Sequence, residues 1–372
     1  MQTKPVTSLL CLAIAAACQL LGQAAAKPGT DVLVLANGEK LIGHLERATD
    51  TSVVFKSDTA GEVTVKWSAV AELHSSDKFA AIPKGVKLRH KEDTAAIPQG
   101  PVSATAENLE IQTPPQPKTT PTTDIGNVVD EASFEHAFEH VSLWQGWKGG
   151  ATAGIALTEA TQKSRNITAG INLVRSVPDA TWLDTRSRTI FGFNEAYGKV
   201  SQPGYADVKT SLYHLGLEQD WFLNPRLYGF VHAGLDHNFS QGLRLQQVYG
   251  GGLGFVVFKK TSQELDFKAS LDYINQRFYA PGSTNSLIGS VFSESYTRTF
   301  AHGILFNEAA GLTQPWNVTS AYSAFASAAL TFPVYHRLGL TLGALDNFLN
   351  NPPPGFRKNS FQFTAGATYS FQ

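Results

Sequence analysis

Phe361-Gln362-Phe363-Thr364-Ala365-Gly366-Ala367-Thr368-Tyr369-Ser370-Phe371 is the stretch that decides the fold. Side chains on an extended chain alternate between two faces. Phe361, Phe363, Ala365, Ala367, Tyr369 and Phe371 therefore share one face, and Gln362, Thr364, Gly366, Thr368 and Ser370 share the other. Aromatic rings stand at both ends of the apolar face with alanines between them. A strand that meets lipid outside and water or polar side chains inside has this pattern, with aromatic girdles at the two interfaces. Phe361, Phe363, Tyr369 and Phe371 are thus read as membrane-facing.

Working outward, the same alternation recurs. Leu265, Phe267, Ala269, Leu271 and Tyr273 alternate with Glu264, Asp266, Lys268, Ser270 and Asp272. Ile167, Ala169, Ile171 and Leu173 alternate with Asn166, Thr168, Gly170 and Asn172, and Tyr213, Leu215 and Leu217 alternate with His214, Gly216 and Glu218. A soluble sandwich alternates too, but its strands usually stop at about five or six residues. These runs reach the roughly 9–11 residues that a spanning strand needs. No later apolar run approaches the ~18 residues of a spanning helix, so lipid can be crossed only by a closed barrel, which pairs every backbone group. The fold class is all-β: an antiparallel up-and-down transmembrane barrel over residues 144–372. It has about twelve strands, or ten if the segments 288–300 and 303–314, blurred by Glu294, Arg298 and Glu308, are dropped. An even count puts both ends on the periplasmic side. Connections there, such as Asn224-Pro225-Arg226, are expected to be shorter than those on the opposite side, such as 350–358.

Composition divides the rest. Of 23 Phe, 11 Tyr and 6 Trp, only Phe55, Trp67 and Phe79 precede residue 134. Residues 1–26 read as a secretory signal: Lys4, an apolar run from Leu9 to Leu21, and small residues at Ala24-Ala25-Ala26. Ala15-Ala16-Ala17-Cys18 loosely matches a lipoprotein signal, with Ala15 in place of the usual leucine. Cys11 and Cys18, the two cysteines, both fall in this segment. Disulfides and thiol chemistry are thereby excluded from the mature chain. A net charge of −1 with no basic block argues against nucleic acid as a partner. Outer-membrane lipid, and the barrel-assembly machinery during biogenesis, are the partners a barrel implies.

Residues 27–87 suggest a small periplasmic β-barrel of SH3 or Sm type with an unknown partner. Asp31–Leu35 and Leu41–Leu45 flank Asn37-Gly38, a two-residue hairpin signal that calls for positive φ at both positions. Ser52–Lys56 and Glu62–Trp67 form a second pair. Residues 88–126 carry many prolines and no aromatic, which reads as a disordered linker. Residues 127–143 read as a short amphipathic helix, with Phe134, Phe138 and Val141 on one face.

Candidate chemistry is sparse. Glu218, Asp220, Glu264, Asp266 and Asp272, with Lys268, fall on the predicted lumen face. Two readings follow: a structural, envelope-integrity barrel filled by side chains, or a small channel that prefers cations because acidic rings attract them. A third, an outer-membrane lipid hydrolase, would rest on Asp236-His237-Asn238-Phe239-Ser240, yet adjacent Asp236 and His237 point to opposite faces of a strand. Gly250-Gly251-Gly252-Leu253-Gly254 precedes no helix that could hold a phosphate, and close packing in the barrel is the better reading. His136 and His140 share a helix face without a third metal ligand. No catalytic residue, metal or cofactor is therefore assigned, and the chain is read as a non-enzyme.

Asn351-Pro352-Pro353-Pro354-Gly355-Phe356-Arg357-Lys358 followed by Phe361–Phe371 resembles the end of domain of unknown function family 481, and Trp147-Lys148-Gly149-Gly150-Ala151 resembles its first strand. The Asp31–Gly43 stretch resembles a small domain that precedes such barrels. The resemblance covers about residues 144–372. It implies an outer-membrane barrel of the kind described as salt-induced outer-membrane proteins, with no established activity and no catalytic residues to carry over. One departure is that Gln372 follows Phe371, where such barrels usually end on an aromatic residue.

Overall fold

The computed structural model describes residues 30–372, apart from 89–90, 115, 140–141, 160–162, 181, 202–203, 205, 261 and 372. The signal assigned to residues 1–26 lies outside the described residues, as do His140, Val141 and Gln372. The chain divides into two units, Met1–Glu139 and His140–Gln372.

Among the described residues the first unit holds nine strands: β1 (Asp31–Leu35), β2 (Lys40–Thr49), β3 (Ser52–Ser57), β4 (Gly61–Lys66), β5 (Val70–Pro83), β6 (Gln99–Ala104), β7 (Asn108–Ile111), β8 (Lys118–Pro121) and β9 (Ile125–Asp130). The long strands β2 and β5 each pair with both β1 and β9, which closes a small barrel. Strands β3–β4 extend from β2, and β6–β7–β8 extend from β5. Leu33, Phe55, Leu73, Val102, Ile111 and Val128 are among the residues of its core.

Three expectations change here. Residues 88–126 are not a disordered linker: β6, β7 and β8 lie inside that range, and Val102, Ala104, Leu109, Ile111 and Ile125 are buried. The small β domain therefore runs to Asp130 rather than stopping near residue 87. Mean composition misled because what β6 and β7 bury is a short alternating set of small and aliphatic side chains. Two of its prolines fall where no ladder N–H is needed: Pro101 sits at the register shift of the β5–β6 pair, and Pro121 ends β8. The Asn37-Gly38 hairpin is real, but only Gly38 has positive φ (88°). The turn is longer than two residues, with Gly38 N–H donating to Leu35 O and Leu35 N–H to Glu39 O. The predicted helix 127–143 shrinks to α1 (Glu131–His136), because residues 127–130 belong to β9. Asp130 caps it by accepting from Ser133 N–H at 2.8 Å, and Phe134 is buried against Phe138 with ring centroids 5.5 Å apart.

The second unit is a closed antiparallel barrel of twelve strands in chain order. They are β10 (Trp147–Glu159), β11 (Lys163–Val177), β12 (Ser187–Ser201), β13 (Val208–Phe222), β14 (Leu227–Asn238), β15 (Leu243–Lys260), β16 (Gln263–Phe278), β17 (Thr284–Thr299), β18 (Leu305–Pro315), β19 (Ser323–Tyr335), β20 (Leu338–Leu349) and β21 (Asn359–Phe371). Closure runs through β10 and β21, with Gly149 opposite Phe371 and Ala153 opposite Ala367. Of the two strand counts the alternation allowed, twelve is the one that forms.

Phe361, Phe363, Tyr369 and Phe371 are exposed on the outside, as are Leu217, Leu253, Phe267, Leu271 and Phe292. Large apolar side chains on the exposed face of a closed sheet are what lipid contact requires. Register also places Glu294 (opposite Phe267) and Glu308 (opposite Tyr296) on that outer face, which is why they blurred the alternation. Connections at the end carrying the barrel's termini, the near end, are short at 261–262 and 336–337. The connection 178–186, however, is as long as 350–358 at the far end, so the expected asymmetry of loop length holds only in part.

Candidate functional site: the polar interior of the barrel

Three glycines of β15 shape the interior. Gly250, Gly252 and Gly254 alternate on one face, opposite His232, Phe230 and Tyr228 of β14 and Asp272, Ser270 and Lys268 of β16. A Cβ on Gly254 would overlap the Tyr228 ring, and one on Gly250 would overlap the Asp272 carboxylate and the His232 imidazole. Their absence opens a trough along β15. Side chains of β14 and β16 meet across it: Tyr228 Oη donates to Asp266 Oδ2 at 2.7 Å, and His232 Nε2 lies 3.1 Å from Asp272 Oδ1. The glycine-rich stretch is thus a packing device for polar groups, not a phosphate loop.

Arg188 of β12 is the hub of this cluster. Its Nε lies 2.6 Å from Asp220 Oδ2, one terminal nitrogen 2.9 Å from Asp266 Oδ2, and the other 3.3 Å from Glu264 Oε1. The guanidinium also stacks against the Tyr228 ring, 5.0 Å from its centroid. Contacts that join β12 to β16 can only pass through the lumen, so these side chains point inward. Asp220 is 0% exposed and Asp266 2%, while the Arg188 side chain is 12% exposed. Charges buried to this degree need partners, and a planar fork of donors suits several carboxylates at once. Lys268 pairs with Glu218 of β13 and stands 5.6 Å from the Phe230 ring centroid.

Polar contacts continue toward the far end. His214 Nδ1 lies 2.6 Å from Asp236 Oδ1, and Gln246 donates to Asp236 Oδ2 at 2.9 Å. Gln276 then donates to Gln246 at 2.8 Å. The six lumen residues named from the sequence, Glu218, Asp220, Glu264, Asp266, Lys268 and Asp272, are thereby placed in one connected wall, β12–β16. The sequence reading missed Arg188, Tyr228 and His232; it put His214 on the polar face without a role, and considered Asp236 only as part of a hydrolytic stretch. Arg188 shares inward parity with Asn194 and Gly198, which was the available signal.

The Asp236–Ser240 stretch does not assemble as a hydrolytic site. Asp236 faces inward and engages His214. His237 takes the other face, stacks on Tyr213 with centroids 5.0 Å apart, and holds Arg244 O at 2.9 Å through Nδ1. Asn238 accepts from the Gln241 amide to cap a short turn, Phe239–Gln241.

That turn reaches across the far mouth. Strands β14–β15 and β20–β21 stand on opposite sides of the ring. Gln241, nearly fully buried, donates through Nε2 to Asn347 O at 2.8 Å and to Lys358 O at 2.7 Å. The Phe356 ring lies over Gly242, where a Cβ would collide with it. Leu243, Phe278 and Leu349 form a small apolar cluster in the same region. Beside it, Ile274 and Leu287 pack on Ala321 of the connection after β18.

The solved structures that resemble this fold include an outer membrane channel from Pseudomonas putida F1, 11% identical over 62% of this chain and 100% of that one, with a TM-score of 0.36. The translocator domain of the autotransporter NalP from Neisseria meningitidis is 12% identical over 64% of this chain and 93% of its own, with a TM-score of 0.33. The beta domain of the Bordetella autotransporter BrkA is 13% identical over 60% and 98%, with a TM-score of 0.31. No curated protein matches the chain. A family model described as protein of unknown function, DUF481, matches residues 151–371, the barrel whose walls and mouth are described above, and the chain belongs to that family.

Proposed function

We propose that this protein is a closed, structural barrel of the bacterial outer membrane, contributing to envelope integrity without catalysis, with its N-terminal β unit in the periplasm. The observation that carries this reading is the far mouth, where Gln241 bonds the backbone carbonyls of Asn347 in β20 and of Lys358 at the end of the 350–358 connection, and Phe356 seats on Gly242. A lumen lined on one wall by buried, mutually paired charges and bridged at its mouth resembles a filled small barrel more than an open porin. The test is purification in detergent, a heated-versus-unheated gel, and planar-bilayer recording. A heat-modifiable, outer-membrane-fractionating protein that is electrically silent is expected, with Gln241→Ala/Phe356→Ala producing conductance steps. Steady open-channel conductance from the unaltered protein would sink the structural reading.

A second reading has one specific observation in its favour. The buried cluster sets a single guanidinium against Asp220, Asp266 and Glu264, an excess of acid. If the barrel conducts, that wall favours cations. Anion selectivity in reversal-potential measurements would exclude it.

A further inference from the structure

Asp31, the first residue of β1, is fully buried, and its Oδ2 accepts from Leu45 N–H at 2.7 Å. Its Oδ1 is also buried and, among the described residues, has no partner at full hydrogen-bond geometry. Burial pushes the carboxyl above its ordinary range, and the Leu45 amide and nearby Ser75 hydroxyl offset only part of that. A carboxylate in such a place is costly unless a positive charge meets it. Among the charged groups that bear on it, His44 favours the ionised form and Asp77 opposes it.

His44 and Asp77 stand beside Asp31. Gly43 of β2 is opposite Asp31 in the ladder, which brings His44 to the site. Asp77 comes from the register shift in β5, which breaks the strict ladder between Ser75 and Lys78. His44 Nδ1 is 3.9 Å from Asp77 Oδ2, and one ligand atom from each of the three residues lies within 4.8 Å of the others. The His44 and Asp77 side chains are 44% and 46% exposed, so the cluster opens to solvent on one side while Asp31 closes the other.

We infer that Asp31, His44 and Asp77 form a divalent transition-metal site in the N-terminal β unit. One imidazole and two carboxylates match zinc-type ligand chemistry, with metal–ligand distances of about 2.0–2.2 Å. The nitrogen donor disfavours calcium and magnesium, which take oxygen ligands. Drawing three ligand atoms onto one ion requires small rotations, which half-exposed His44 and Asp77 can make while Asp31 stays fixed by Leu45. Solvent on the open side completes the coordination. The cation would supply the charge that Asp31 lacks, so binding and stability of this unit are linked.

The test uses the full-length protein in detergent, stripped with chelator and dialysed against zinc or cobalt. One equivalent of zinc is expected beyond the uptake of His44→Ala, with a cobalt visible spectrum that His44→Ala and Asp77→Asn abolish. Affinity in either variant should fall at least tenfold. Both substitutions lie at half-exposed positions, and the circular dichroism spectrum verifies that each variant folds. Asp31→Asn adds an independent readout, since zinc should raise the melting temperature of the unaltered protein and not of this variant. Equal zinc uptake by the unaltered protein and the His44→Ala and Asp77→Asn variants, or no stoichiometric uptake at all, overturns the inference.

Discussion

The two walls of the barrel interior solve one problem with different chemistry. Strands β12–β16 fill their inner face with charges: Arg188 among Asp220, Asp266 and Glu264, then Lys268 with Glu218, and His232 with Asp272. Across β19, β20, β21 and β10 the inner face carries hydroxyls. Thr331, Thr341, Thr368 and Thr152 form a chain of contacts at 2.8, 2.5 and 2.8 Å that ties four strands together. Both walls show lipid the same apolar outer face. Lipid contact therefore constrains only outward residues, and the inward ones are free to diverge as long as each polar group finds a partner. Apart from Arg188 with Asp220, which are cross-strand neighbours, the pairs of the charged wall couple strands two or more places apart, whereas each threonine contact links neighbours.

Breaking the charged wall should give the largest effect. Arg188→Met leaves Asp220 and Asp266 buried without the cation that joins them, and removing one partner of a buried ion cluster costs about 3–5 kcal/mol. Urea unfolding followed by gel mobility should show the shift, and Arg188→Lys should restore only part, since it cannot fork to three carboxylates. The glycine trough comes next. Gly254→Ala pushes a methyl into the Tyr228 ring, and overpacking of this kind costs about 1–3 kcal/mol. Adding Tyr228→Ala should reduce that penalty, and a double-mutant cycle showing no coupling would remove the trough from the account. On the hydroxyl wall, Thr368→Val deletes one of the two inner members of the chain and should cost only about 1 kcal/mol in the same assay. A loss as large as that of Arg188→Met would erase the distinction between the walls.

Asp31 sharpens the contrast from outside the barrel, because it is a buried carboxyl whose charged neighbours, His44 and Asp77, act on it in opposite directions. Burial raises its carboxyl above the ordinary 3.8. The folded unit thus holds a proton that the unfolded chain releases. With metal chelated, stability is greatest below the ordinary carboxylate range and declines as pH rises through the raised value. Asp31→Asn should remove that slope. Hydrogen exchange at Leu45, whose amide bonds Asp31, corrected for intrinsic rates at pH 3.5 and 7, would read it; an unchanged slope in the variant would assign the pH dependence elsewhere.

The alternation in Phe361–Phe371 and in Leu265–Tyr273 was enough, without coordinates, to specify an all-β barrel and to say which side chains face lipid. The physical reason is that lipid tolerates no unpaired backbone and few outward polar groups, so the constraint is written at every second residue. Parity also put Asp220, Asp266 and Asp272 inside. It could not say what they touch, because Arg188 lies 78 residues from Asp266 in sequence and meets it only when the ring closes. The strands β6–β8 escaped for a related reason. Their four buried aliphatic and small side chains sit among prolines and threonines, and only pairing with β5 and its neighbours gives those residues a core to enter. The bridge from Gln241 to Asn347 and Lys358, and the grouping of Asp31 with His44 and Asp77, likewise belong to tertiary structure alone. Each depends on strand order and register bringing distant residues together, and no local pattern encodes that.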